Sequence, residues 1–330
     1  MAGVKALSKI QVGLETTIGA AVAATRIMRY MGRLDDTRET VFPEEDIGIL
    51  GGADRAYTPK LGGAIQLSGE ATFEDIPYIL AGGVQNVTSG DTTGKYSYSY
   101  VMPTTAGSIA DPKTLTIEAG DNQQAEEMEG CFVSKFTLTG VGGGAVMMTA
   151  DYIGRQVANT TFTTPLSPPA IEEILFSKGK IYADTVGGTI GTTPLTNTWL
   201  GFNLSVDTGY RPVYTADGSI YWSFVKQIAP EITGSFTFEH DSFGVAEKTA
   251  WRANTIRQFR MIFTGSALTD PAQTYAVKTA LFDFCALIEK VDPIGDQDGN
   301  NIITANFRGR YNSTAALFFE AIIANNNSAL

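Results

Sequence analysis

The sequence Gly69-Glu70-Ala71-Thr72-Phe73-Glu74 returns as Gly234-Ser235-Phe236-Thr237-Phe238-Glu239, 165 residues later (234 − 69) in a chain of 330. The match runs back through Ile65-Gln66-Leu67-Ser68 against Pro230-Glu231-Ile232-Thr233. Both copies alternate apolar and polar residues with period two, the pattern of a strand with one face buried. A strand repeated at half the chain length restricts the fold more than any composition does.

Two further blocks recur in the same order. Thr149-Ala150-Asp151-Tyr152-Ile153-Gly154-Arg155 returns as Thr304-Ala305-Asn306-Phe307-Arg308-Gly309-Arg310, offset by 155 (304 − 149). Lys9-Ile10, Glu15-Thr16 and Thr17-Ile18-Gly19 return as Lys180-Ile181, Asp184-Thr185 and Thr189-Ile190-Gly191, the last offset being 172 (189 − 17). Three collinear blocks with offsets that shrink along the chain predict one module used twice, with shorter loops in the second copy. Two units are too few for a solenoid. The expected division is therefore 1–165 and 166–330, which agrees with the length prior of roughly one domain per 150 residues.

The net charge of −11, from 24 basic and 35 acidic residues, argues against a protein that wraps nucleic-acid backbones. It is compatible with a surface that nucleic acid slides past, because like charges repel. Cys131 and Cys285 lie 154 apart (285 − 131), close to a repeat offset, and are expected as buried thiols on related strands. The opening Met-Ala-Gly-Val-Lys-Ala-Leu-Ser-Lys lacks the apolar core of a signal peptide, and no apolar run is long enough for a membrane helix. The sequence thus predicts a chain made and kept in a cytoplasm, without a membrane partner.

Along the chain, Gly13 to Ala24 reads as an extended arm leading into a strand. Residues 37–63 form a long polar excursion of the kind used as a functional loop. Its counterpart, Val206 to Ala229, is tighter, with Thr215-Ala216-Asp217-Gly218 as the turn between 211–214 and 220–223. Asp75 is placed to cap a short helix through Ile76, Ile79 and Leu80, stopped by Gly82-Gly83. Asp241 or Ser242 starts a longer one through Phe243, Ala246, Ala250 and Trp251. Alternating strands follow each helix, at 114–119 and 259–264, and each half closes with a hairpin: 131–154 around Gly140 to Gly144, and 281–310 around Asp298-Gly299. Thr163 to Pro169 reads as a stiff linker. The predicted class is mainly β: two tandem β-sandwich or barrel domains, each with one flanking α-helix, related by internal duplication.

No catalytic set assembles from these residues. His240 is the single histidine, and a lone histidine at a strand end supports neither a nucleophile triad nor a His-based zinc site. Gly140-Val141-Gly142-Gly143-Gly144-Ala145 matches a dinucleotide fingerprint in letters, but a strand rather than a helix follows it. Asp296-Gln297-Asp298-Gly299 begins like a calcium loop, yet its glycine comes too early and no glutamate closes it. No cofactor or metal is expected. The carboxylates instead form faces. The polar side of 65–74 is Gln66, Ser68, Glu70, Thr72 and Glu74, and that of 230–239 is Glu231, Thr233, Ser235, Thr237 and Glu239, with no Lys or Arg on either strand. Such a face is an ordinary solvated surface or a wall turned toward something negative.

Gln11-Val12-Gly13-Leu14-Glu15-Thr16-Thr17-Ile18-Gly19-Ala20-Ala21 resembles the start of tail tube (major tail) proteins of long-tailed bacteriophages. So do Phe136-Thr137-Leu138-Thr139-Gly140, the Ala150-Asp151-Tyr152 strand and the repeated Gly-x-x-Thr-Phe-Glu. The resemblance implies a β-sandwich with one helix, rings stacked into a tube, and a lumen walled by one sheet from each domain. It also implies a loop from each subunit that reaches the next ring; here that is the excursion containing Glu44, Glu45, Asp46, Ile47 and Ile49. Lumen-lining positions would be Gln66, Ser68, Glu70, Thr72, Glu231, Thr233, Ser235 and Thr237. Many members carry one domain and form sixfold rings, so a chain carrying two implies three copies per ring with pseudo-sixfold symmetry. The partners implied are further copies of the chain, tail terminator and tail-tip proteins, and DNA in passage without specific binding; the location is the virion tail, assembled in the host cytoplasm. The alternatives are another virion protein (decoration or tail tip), an exported outer-membrane barrel, and a hydrolase using Glu70/Glu74 or Glu231/Glu239, which would need the two carboxylates across a cleft.

Overall fold

In a computed structural model the described residues are all except 1, 53, 85–86, 90–96, 106–107, 110, 270–274 and 328–330. The fold is mainly β. In the first half the strands are β1 (Lys9–Leu14), β2 (Arg26–Met28), β3 (Asp35–Asp36), β4 (Glu39–Val41), β5 (Tyr57–Lys60), β6 (Gly63–Glu70), β7 (Val87–Ser89), β8 (Ser97–Val101), β9 (Leu115–Gly120), β10 (Ala125–Val141), β11 (Met147–Gly154) and β12 (Val157–Thr160). The second half adds β13 (Gly179–Thr185), β14 (Trp199–Asp207), β15 (Tyr210–Val213), β16 (Phe224–Gln227), β17 (Glu231–Glu239), β18 (Arg257–Ala267), β19 (Val277–Val291), β20 (Gly295–Gln297), β21 (Asn300–Gly309) and β22 (Phe319–Ala324). Helix α1 (Ile76–Gly83) follows β6, and α2 (Ser242–Arg252) follows β17.

Strands related by the sequence repeat keep like neighbours. β6 pairs with β11 as β17 pairs with β21, β10 lies between β9 and β11 as β19 lies between β18 and β21, and β1 joins β9 as β13 joins β18. The irregularities coincide too. β10 bulges between Val133 and Lys135 opposite β11, and β19 bulges between Ile288 and Lys290 opposite β21. A bulge bends a strand and strengthens its twist. Here it lets each long strand serve one sheet with its first part and another with its last.

The last part of β10 carries the joint between halves. It pairs with β11 on one edge and with β14 on the other, from Lys135 opposite Asp207 to Val141 opposite Gly201. One antiparallel sheet therefore runs β6–β11–β10–β14–β17–β21 across both halves. Behind it lie β2–β1–β9–β10–β12 and β13–β18–β19–β22–β8–β7. The second of these takes β7 and β8 from the first half, so the 165/166 division is crossed by strand exchange. Phe236 on β17 meets Phe259 on β18 at 5.1 Å and Phe307 on β21 at 4.7 Å, and one continuous apolar cluster runs through both halves. Cys131 and Cys285 are buried free thiols on β10 and β19, and burial pushes both above the usual thiol range, Cys285 to about 11.

The two helices differ from the sequence reading in an instructive way. Asp241 caps α2 as expected, accepting from the N–H groups of Phe243 (2.9 Å) and Gly244 (3.0 Å). Asp75 does not cap α1. Its carboxylate is fully buried against the Arg26 guanidinium at 2.7 Å, and all eight residues of α1 are buried. An arginine on β2 outcompetes the helix's own N–H groups, because a charged donor makes the stronger bond.

The Gly/Thr-rich arms are fastened by a repeated device. Glu15 is buried and accepts from Gly19 N (2.8 Å), Gly130 N (2.8 Å), Thr114 Oγ1 (2.7 Å) and Thr116 Oγ1 (2.9 Å). Asp184 accepts from Gly191 N (2.7 Å), Thr192 N (3.1 Å), Thr192 Oγ1 (2.7 Å) and Thr193 N (2.9 Å). Burial pushes the Asp184 carboxyl up, but these donors outweigh it and hold it below the usual range.

Candidate channel face and stacking loops

The joined sheet turns one face to the core and the other to solvent. Ile65, Leu67, Ile232, Phe236 and Phe238 are buried, whereas Gln66 and Glu70 are exposed and Ser68, Thr233, Ser235 and Thr237 are half-buried on the outer side. Register extends that side across every strand. One row reads Ser68, Thr149, Thr137, Ser205, Thr233, and the next reads Gln66, Asp151, Lys135, Asp207, Glu231. A third reads Glu70, Met147, Thr139, Asn203, Ser235, Asn306. Hydroxyls, amides and carboxylates dominate, and they bond sideways to one another. Gln66 Nε2 donates to Asp151 at 2.7 Å, Thr137 Oγ1 to Ser205 Oγ at 3.2 Å, and the Thr237 and Thr304 hydroxyls lie 3.4 Å apart.

Two expectations fail here. Thr72 lies beyond the end of β6 at 2% exposure, and its hydroxyl accepts from Asp75 N at 3.1 Å. The chain has already turned inward toward α1, which takes Thr72 out of the outer face. Glu74 is likewise buried, 2.6 Å from Lys278, so the Glu70/Glu74 pair of the hydrolase alternative does not share a surface. The face is also not free of cations once neighbouring strands are assembled. Lys135 and Arg308 stand on it, Arg308 bridging Glu231 (2.9 Å) and Glu289 (2.6 Å). Carboxylates still outnumber them: Glu70, Asp151, Asp207 and Glu231 all take part. Burial works against Asp207 ionising, but Arg211 at 2.8 Å, the Gly209 N–H and Lys135 hold its carboxyl below the usual range. The contributions of β10, β11, β14 and β21 were visible as period-two alternation at 135–139, 147–153, 203–207 and 304–308, although nothing in the sequence assigned those strands to one sheet.

Two hairpins leave this sheet close together. β4 pairs with β5, carrying the 42–56 loop, and β15 pairs with β16. The second hairpin strand is 224–227 rather than 220–223, because Leu61 N takes the Ile220 carbonyl at 2.7 Å and pulls that stretch into contact with the first hairpin. Tyr214 Oη donates to Leu61 O at 3.2 Å. The 42–56 loop carries Glu44, Glu45, Asp46, Ile47 and Ile49 as expected, with Glu45 paired to Arg55. Its polar reading was incomplete: Phe42, Ile47, Ile49, Leu50 and Tyr57 are exposed, as are Tyr214, Ile220, Phe224 and Ile228 on and beside the second hairpin. Exposed apolar groups gathered on neighbouring loops mark a surface built for protein contact.

A family model described as phage tail tube protein matches residues 5–310. The chain belongs to the phage tail tube protein family. It is a structural protein of the bacteriophage virion, with a tail tube role. No curated protein matches it. Among solved structures it is similar to the SPP1 tail tube determined by solid-state NMR and cryo-EM, at 12% identity and a TM-score of 0.32, over 47% of this chain and 81% of that one.

Proposed function

We propose that this tail tube protein polymerises into stacked rings of three copies, each copy supplying two duplicated sandwich units, roughly 1–165 and 166–330, whose joined sheets wall a channel for DNA. The observation that carries this is the six-stranded sheet β6–β11–β10–β14–β17–β21 with its polar, carboxylate-rich outer face. A wall of hydroxyls and carboxylates offers phosphates no array of cations to bind, so DNA passes without being held. Gln66, Ser68, Glu70, Glu231, Thr233, Ser235 and Thr237 line that wall. Like neighbours and matching bulges in the two halves support the duplication. A sheet with open edges is a liability in solution, and ring closure removes the edges.

The apolar 42–56 loop packs on the neighbouring ring. Deleting 44–52 is expected to leave a folded, soluble chain that forms no tubes; normal tubes from the deletion would refute this role. The ring itself is tested by the rotational symmetry of purified tubes in cryo-EM. Threefold symmetry with pseudo-sixfold density is expected, and six chains per ring would overturn the stoichiometry.

A further inference from the structure

The joint between the halves supplies a template for the joint between copies. Along the free side of β6, Met31 exchanges both backbone bonds with Ser68 (2.8 and 2.9 Å), as Ser205 on β14 pairs with Thr233 on β17. Ser68 and Thr233 are one repeat apart (233 − 68 = 165), so Met31 corresponds to Ser205. At the far end of the sheet, Asp292 N donates to Thr304 O at 2.9 Å, as Thr137 pairs with Thr149. Those positions are also one repeat apart (304 − 149 = 155), so Asp292 corresponds to Thr137. Thr137 and Ser205 face each other in the β10–β14 joint. Their counterparts lie at the two open edges of the sheet: among the described residues no strand pairs with the outer side of Tyr30–Gly32 or of 290–297.

Resting on the ring reading above, we infer that Arg29–Asp36 of one copy adds to the 290–297 edge of the next, in the register of β14 on β10, with Met31 opposite Asp292. Because Met31 bonds inward to Ser68, Tyr30 and Gly32 turn their backbone groups outward. Met31 itself is 74% exposed, so its side chain is free to meet a neighbouring strand. In this register Arg29 falls opposite Ile294, between Asp292 and Asp296, whereas Arg33 falls opposite Lys290, whose ammonium is engaged by Asp292 at 2.7 Å, so it is the backbone match and not charge that selects the register. Trp251 Nε1 donates to Glu289 O at 3.0 Å and marks where the open edge ends.

The test uses disulfides. Ser134 O and Gly142 N bond to the β14 side, so Thr137 lies opposite Ser205 in a non-hydrogen-bonded pair, the closer kind, at about 4.5 Å between Cα atoms and within disulfide reach. Met31→Cys with Asp292→Cys in one chain reproduces that pair between copies, and both native cysteines are buried and do not compete. Assembled tubes are oxidised with copper-phenanthroline, denatured and run without reductant. Loss of the monomer band into a ladder that stops at a trimer is expected. Either single variant stays monomeric, and a mixture of the two stops at dimers. A second pair, Arg33→Cys with Lys290→Cys, corresponds to Asp207 and Lys135 and guards against a variant that fails to assemble. Well-formed tubes with neither cross-link overturn this register and leave the tube reading intact. If the wild-type chain forms no rings or tubes, the ring reading falls and this inference falls with it.

Discussion

Replacing Asp75 by Asn tests how the edge segment is held. Asp75 has no side-chain exposure and Arg26 only 11%, and the two bond at 2.7 Å and 2.8 Å. The same carboxylate accepts from Arg29 N at 3.4 Å, so it pins the chain at the point where β2 passes into the Met31 edge. Removing one partner of a buried ion pair leaves the other charge uncompensated, which costs about 3–5 kcal/mol. At about 2 °C per kcal/mol for a large domain, Tm is expected to fall by roughly 6–10 °C. Arg26→Met alone carries a similar cost, since it strands the carboxylate instead. The double variant removes both charges, and apolar replacement of a buried pair is commonly close to neutral. Urea titrations of the four proteins close the cycle. Additive single effects, or an Asp75→Asn loss within about 1 kcal/mol of zero, would refute the claim that this pair carries the segment.

Asp184→Asn is expected to cost about 1.5–3 kcal/mol at pH 7, the range for hydrogen bonds to a charged group. Because the folded pKa of Asp184 is depressed, its contribution is present above the unfolded value near about 4 and is lost as pH falls through the folded value. The gap between variant and wild type in urea titrations should therefore close in strong acid, and a gap that widens there would contradict the assignment. Gly140→Val should destabilise by roughly 1–3 kcal/mol by overpacking, because a Cβ at Gly140 would stand 2.5 Å from Phe202 and 2.8 Å from Phe176 across the joint between halves. Phe236→Ala empties a site shared with Phe259, Phe284 and Phe307 and should cost about 3–5 kcal/mol in thermal or urea unfolding. Charge reversal of Glu70 and Glu231 to Lys should leave tubes intact while making DNA ejection slower and salt-dependent; ejection unchanged at low salt would remove these residues from the wall.

The mainly β class and the outward alternation of β6 and β17 were legible because period-two alternation is a local signal. The sequence set Glu15 against Asp184 in one matched block, but that each carboxylate ties down the Gly/Thr loop after it is seen only in the structure. Three further things were not legible. Thr72 and Glu74 continue the alternation in letters, but α1 begins immediately afterward and turns them inward, a change of direction that periodicity does not encode. Asp75 has the sequence position of a cap, yet a cation 49 residues earlier claims it. The exchange of β8 onto β22 joins residues more than 200 apart, and β8 lies in the long connection between α1 and β9, where the second half runs almost directly from α2 into β18, so no repeat offset points to it.

If the chain carries two ring units, as proposed, that changes what assembly must achieve. In the proposed ring half of the sheet joints are internal, so they form at an effective concentration set by the chain and cost no association entropy. These can be strong, and the β10–β14 joint is: Lys135 lies opposite Asp207, and the buried Thr208 hydroxyl bonds the carbonyls of Val133 (2.8 Å) and Ser134 (3.0 Å). The matching joint between copies has to stay open until assembly. Its edge accordingly carries Pro293, which has no N–H to offer at the position corresponding to Leu138, together with the exposed Lys290 and the indole of Trp251 over the Glu289 carbonyl. Proline and lysine are what soluble proteins place on edge strands to discourage pairing. The same fold thus holds one fast seam and one guarded seam. Replacing Pro293 by Leu removes the guard and supplies the missing donor, so free subunits are expected to polymerise at lower concentration than wild type. Sedimentation of dilute subunits over time measures this, and a variant that stays monomeric to the same concentration as wild type would show that the edge is not where assembly is restrained.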